Sequence, residues 1–198
     1  HAAVILRGFS RPNLHLSVVE SDVAAERRKR MLQALADALG EPTSPRGGAI
    51  VYAATRRNTE KVADAVSKAG WRAAAYHAGL SASLREQVNE AFAARRLDIV
   101  VATNAFGMGI DRPDIRTVVH VQAPGSVEAY YQEVGRAGRD GQPAHGLLLT
   151  SSGDLGLRRR LIGYSGDGDR DAAHVFNRIV TLRDSWAKLE KQALQGQS

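Results

Sequence analysis

The stretch QEVGRAGRDG, from Gln132 to Gly141, sets Arg136 and Arg139 three residues apart in a corner rich in glycine. A guanidinium group is planar, stays charged and donates in a fork that matches two phosphate oxygens at once. The apolar and aromatic pattern of VEAYYQEV just before it predicts a helix, so both arginines fall at a helix end. Answering the helix dipole is worth only about 0.3–1 kcal/mol per charge, and arginines inside the last turn would serve as well. That role does not call for Gly135, Gly138 and Gly141. The spacing points instead to guanidinium groups presented to an anion. An arginine held against a transferring phosphoryl group is worth roughly 10³–10⁵ in rate.

A second constellation is ATNAFGMGIDRPDI at 102–115. Gly107 and Gly109 allow a tight backbone and close approach of a ligand. Thr103 and Asn104 could donate to a phosphate through hydroxyl, amide or main chain. Asp111 could accept from a sugar hydroxyl or pair with an arginine. An ordinary glycine turn with Asp111 as a local cap accounts for the same residues. In YHAGL, His77 and Gly79 end a strand, and His77 is either a nucleic-acid contact or a satisfied hydrogen-bonder. In VYAATRRN, Arg56 and Arg57 follow a strand directly, so one could reach a phosphate while the other is solvated. Tyr130 and Tyr131 read as packing residues. No GxxxxGK[ST], no acidic DExD or DExH after a strand and no complete GxGxxG occurs, so nothing here cradles a triphosphate or a dinucleotide in the usual way.

These residues need elements to hold them. Strands are expected over 14–20, 48–55, 71–79, 97–103, 115–122 and 145–152, mostly as continuous apolar runs. Helices are expected over 23–40, over 58–70 with Asn58 as N-cap, over 83–96 opened by a Ser83–Glu86 capping box, over 126–135 capped by Ser126, and around 153–163. Loop composition marks 41–48. The alternation predicts an α/β fold with a mostly parallel sheet and helices on both faces. Ligands in such folds bind beyond the carboxyl ends of the strands. That directs attention to the loops after Thr55, His77, Thr103 and Gln122. GYSGDGDRDA at 163–172 reads as a linker into a last helix near 173–194.

The 198 residues carry a net charge of +6, mostly from arginine, which favours a polyanionic partner. Arginine on solvated faces would give the same charge. The absence of cysteine excludes disulfides, a thiol nucleophile and a Cys-containing zinc site. No apolar run approaches the roughly 18 residues of a membrane helix, and no signal peptide is evident.

VYAATRRNTEKVAD, YHAGLSASLRE, VATNAFGMGIDRPDIRTVVH and SVEAYYQEVGRAGRDG occur in the order of motifs IV, IVa, V and VI of superfamily 2 helicases. Together with FSRPNLHLSV at 9–18, they resemble the second RecA-like motor domain of RecQ-type DNA helicases, over roughly residues 5–163. The resemblance implies a three-layer αβα RecA-like domain over 1–163, and a linker with a helical extension and no zinc module over 164–198. It implies that Arg136 and Arg139 are arginine fingers reaching the γ-phosphate of ATP, with Gln132, Gly109 and Asp111 at the nucleotide. Arg56, His77, Gly79, Thr103 and Asn104 would touch DNA. ATP and Mg²⁺ would be held mainly by the first motor domain, which is the expected partner beside single-stranded and junction DNA. The expected activity is 3′–5′ unwinding by the parent enzyme in the cytoplasm, nucleoid-associated if bacterial, with none from this chain alone. A non-catalytic nucleic-acid-binding or protein-interaction module, or an RNA helicase of the same superfamily, are the rival readings.

Overall fold

The computed structural model describes residues 11–104, 106, 112–125 and 127–151. In chain order the elements are β1 (Leu14–Glu20), α1 (Ala24–Leu39), β2 (Gly40–Glu41), β3 (Ser44–Pro45), β4 (Gly48–Tyr52), α2 (Arg56–Lys68), β5 (Ala73–Tyr76), α3 (Ala82–Ala93), β6 (Ile99–Ala102), β7 (Ile115–His120), α4 (Val127–Val134) and β8 (Ala144–Thr150). Six strands form one sheet in the order β1-β8-β7-β4-β6-β5, and every neighbouring pair is parallel. β2 and β3 form a separate two-stranded antiparallel pair.

Alternation along each strand sorts side chains onto two faces. Ala49, Val51, Ile99, Val101, Val119, Leu147 and Leu149 meet Met31, Leu35 and Leu39 of α1 and Ala63 and Val66 of α2. Ile50, Tyr52, Val100, Ala102, Val118 and Leu148 meet Phe92 of α3 and Tyr130 and Val134 of α4. This is a three-layer arrangement, with α1 and α2 on one face and α3 and α4 on the other. β4, β6 and β7 are buried throughout, as their near-continuous apolar runs predict.

Two expected helix starts are corrected. Thr55, not Asn58, caps α2: it is extended (φ −130°, ψ 151°) and its hydroxyl accepts from the Asn58 amide. Ser81, not Ser83, caps α3 and accepts from the Leu84 amide. In both cases an equally good capping residue stands two or three positions earlier, and the helix uses it. Arg56 and Arg57 consequently lie in the first turn of α2. Of the residues expected on the inner face of α1, Met31, Leu35 and Leu39 are buried while Ala24 is exposed. The expected 41–48 loop folds back on Gly40 as the β2–β3 pair. The expected Ser126 cap, the helix around 153–163 and the extension over 164–198 lie outside the described residues, as do Gly107, Gly109 and Asp111.

Candidate nucleotide and nucleic-acid interface

At the carboxyl ends of β4, β5 and β6 the fold brings Arg56, His77, Gly79 and Thr103 together. Arg56 is exposed at the start of α2. A side chain at Gly79 would meet the Arg56 guanidinium and His77 Nδ1, each at 3.1 Å. The glycine thus admits both groups. His77 is buried, its Nε2 lies 3.1 Å from Glu60 Oε1, and its Nδ1 has no hydrogen-bond partner among the described residues. The Thr103 amide donates to Tyr76 O, and Thr103 O accepts from the Phe106 amide, so the loop folds over the end of β5. Asn104 is exposed beside it. The Gln122 side-chain oxygen accepts from the Ala54 amide (3.1 Å) and from Asn58 Nδ2 (3.0 Å), joining the loops after β4 and β7. Sequence reasoning missed this clasp.

Arg136 and Arg139 follow α4 in a turn tied down from several directions. The Gly138 amide donates to Ile115 O at 2.7 Å. Arg11 donates to Gly135 O at 2.8 Å and also to Gly138 O. Asn13 Nδ2 donates to Gly138 O and Gln142 O, each at 2.8 Å. Asp140 forms a two-oxygen pair with Arg116 Nη2 at 2.5 and 2.6 Å, which holds its carboxyl below the usual carboxylate range. Arg11 and Asn13 belong to the segment that opens the domain, so that segment anchors the arginine turn.

The two arginines occupy different surroundings. Arg136 is half-buried. It hydrogen-bonds the buried Tyr52 hydroxyl, which in turn donates to Phe106 O at 3.3 Å. Burial raises the Tyr52 phenol far above its ordinary value, and the Arg136 charge opposes that rise. Behind Tyr52, His120 stacks at 5.1 Å between ring centroids and shares a 2.8 Å hydrogen bond with buried Glu133. Arg139 and Gln132 are exposed. Tyr130 is buried and Tyr131 packs against the same core, as expected. Among the described residues no group of three or more His, Cys, Asp or Glu could hold a metal ion. No helix among them is long and apolar enough to cross a membrane.

A parallel sheet with helices on both faces, and a turn carrying Arg136 and Arg139 after α4, gives the described residues a RecA-like αβα fold. It belongs to the helicase conserved C-terminal domain family, which matches residues 28–141. Within that family its relatives include RecQ-type DNA helicases. The probable ATP-dependent DNA helicase RecS of Bacillus subtilis (strain 168) is 39% identical over 163 residues, which are 82% of this chain and 32% of that protein. The ATP-dependent DNA helicase RecQ of Pasteurella multocida (strain Pm70) is 40% identical over 159 residues, 80% of this chain and 24% of that protein. Among solved structures, Mycobacterium smegmatis helicase Lhr bound to ssDNA and AMP-PNP is 27% identical with a TM-score of 0.58, over 72% of this chain and 20% of that one. The chain therefore spans about a third or less of the length of these relatives.

Proposed function

We propose that the chain is the C-terminal motor domain of a RecQ-like, ATP-dependent DNA helicase, and that Arg136 and Arg139 act on the nucleotide phosphates. The observation that carries this reading is a turn fixed by Arg11, Asn13 and the Ile115 carbonyl while the Arg139 side chain stays exposed. Donors fixed before charge develops need no reorganisation during the reaction, and this is where electrostatic stabilisation is strongest.

In this mechanism Arg139 reaches across a cleft to the γ-phosphate. Arg136, oriented by Tyr52, holds its charge beside it. Both stabilise negative charge that builds on the transferring group, while Gln132 contacts the nucleotide from α4, just before them. The guanidinium pair fits a phosphate ligand. On the sequence resemblance, Mg²⁺ would be held mainly by the first RecA-like domain of the parent protein. Arg56, Gly79, Thr103 and Asn104 form part of a DNA track along the carboxyl edge, with His77 beneath them. Gly109 and Asp111 are assigned to the nucleotide on the sequence resemblance alone, as is 3′–5′ polarity. The 198 residues alone hydrolyse no ATP on this reading.

The test is Arg139→Ala in the parent enzyme. It should lower kcat for DNA-stimulated ATP hydrolysis by about 10³ or more, with ATP binding largely kept. Turnover near that of the unmodified enzyme would remove Arg139 from the mechanism. Strand separation measured on DNA and RNA duplexes decides between this reading and an RNA helicase.

A further inference from the structure

The amino ends of β4, β5, β6 and β7, opposite the proposed DNA track, enclose an open cavity of about 470 Å³ lined by Arg46, Arg72, Arg95, Arg112, Asp98 and Asp114, among others. A cavity of this size suits a small molecule, but such sites are ordinarily lined by apolar groups with a few polar ones. Here four guanidinium groups face two carboxylates, an excess of two positive charges in a concave site. Both carboxylates are already engaged. Asp98, almost fully buried, takes Arg72 in a two-pronged pair at 2.5 and 3.0 Å. Asp114 accepts from Arg112 Nε at 3.1 Å.

The guanidinium groups are only partly compensated, since Asp114 is shared by two of them. Among the described residues, the Arg46 guanidinium donates to the Asp37 main-chain oxygen alone. Arg95 is two-thirds exposed and forms a 3.4 Å ion pair with Asp114, a carboxylate it shares with Arg112. Arg112 is buried and uses Nε and Nη1 on Asp114, Phe92 O and Leu97 O. Its Nη2 has no partner among the described residues and lies over Gly48, where a Cβ would come within 2.9 Å.

A second, independent observation concerns the backbone. α3 ends in a Schellman motif: the Arg95 amide donates to Phe92 O and the Arg96 amide to Ala91 O. Its left-handed position is normally glycine. Arg95 occupies it at φ 59°, the one non-glycine residue with positive φ among the described residues. At the same position after α2, one residue past the Ala69 C-cap, stands a glycine of positive φ, Gly70. An arginine thus holds the position that glycine fills after α2 and lines the cavity.

We propose that this cavity binds a small polyphosphate, free or as the phosphate tail of a nucleotide, at a site distinct in its residues from Arg136 and Arg139. Guanidinium forks match phosphate oxygens bidentately, and a multiply charged compact anion answers the excess positive charge without disturbing the two carboxylate pairs.

The experiment is calorimetric titration of the 198-residue chain with inorganic pyrophosphate, alongside thermal unfolding of each variant. Arg95→Gly should weaken binding about tenfold while its Tm stays equal or rises, because the strain is relieved. Arg46→Ala should weaken binding similarly, and Arg139→Ala should leave it within about twofold. ADP binding more tightly than pyrophosphate would identify a nucleotide, and equal affinity a free polyphosphate; both uphold the site. Three outcomes overturn it: no binding at millimolar pyrophosphate, binding lost only in Arg139→Ala, or a hexaglutamate peptide binding more tightly with the same dependence on Arg95. The first two leave the motor assignment untouched, since that rests on Arg139 and turnover of the parent enzyme.

Discussion

Arg136 and Arg139 leave one short turn with different tasks for the backbone between them. Gly138 has φ 59°, and an added Cβ there would lie 2.6 Å from Asn13 Nδ2, 2.8 Å from the Ala144 Cβ and 2.9 Å from Gln142 O. Gly141 also has positive φ, at 80°, but open space surrounds the missing Cβ. Gly141→Ala should therefore cost only the left-handed strain, about 1 kcal/mol. Gly138→Ala adds overpacking of roughly 1–3 kcal/mol to that strain, because two of its three neighbours are backbone or the first atom of a side chain. Urea denaturation compares them directly, and equal losses would mean that the packing at Gly138 yields without cost. The glycines and arginines of this turn were legible because their chemistry is local. Tyr52, His120 and Glu133 were not, because their partnership with Arg136 exists only once β4, β7 and α4 are packed.

Helix existence was readable from apolar spacing, and the starts of α1 and α4 fell within one residue, while the caps of α2 and α3 were misplaced. The segment LSASLRE holds two serines with a plausible capping geometry, and periodicity alone does not choose between them. The fold chooses Ser81, whose φ −59° and ψ 156° turn its hydroxyl onto the Leu84 amide, and α3 begins at Ala82. Ser83 then sits inside the first turn, exposed, with its hydroxyl 3.5 Å from Gln87 Nε2. Ser81→Ala should cost about 1 kcal/mol, whereas Ser83→Ala should stay within about 0.5 kcal/mol. Thermal unfolding of the two variants reads the difference, and a larger loss from Ser83→Ala would return the cap to that residue. The four strands that matter most, β4, β6, β7 and β8, were legible as buried runs. The β2–β3 pair of two residues each was hidden, because a Pro- and Gly-rich loop carries no alternation to reveal it.

Over the whole molecule, the alternation of strands and helices announced a parallel sheet, but not its order. The sequence is silent on β6 lying between β4 and β5, since crossovers rather than local propensity decide which strands become neighbours. That order sets the carboxyl ends of β4, β5 and β6 side by side and so gathers Arg56, Gly79 and Thr103 on one edge. If this edge carries a nucleic-acid strand, its exposed cation must displace counterions from the phosphates. The affinity of the chain for a single-stranded oligonucleotide should then fall linearly with the logarithm of salt concentration, with a slope near 0.7 per phosphate contacted. Arg56→Ala should make that slope shallower by about 0.7 and weaken binding to unrelated sequences equally. His77→Ala should leave the slope unchanged, because the ring is buried with Nε2 against Glu60 and contributes no exposed charge. Fluorescence anisotropy over roughly 50–200 mM salt measures both. A slope indifferent to Arg56 but reduced by removal of Arg46 or Arg95 would move the strand to the opposite end of the sheet, where the basic cavity opens.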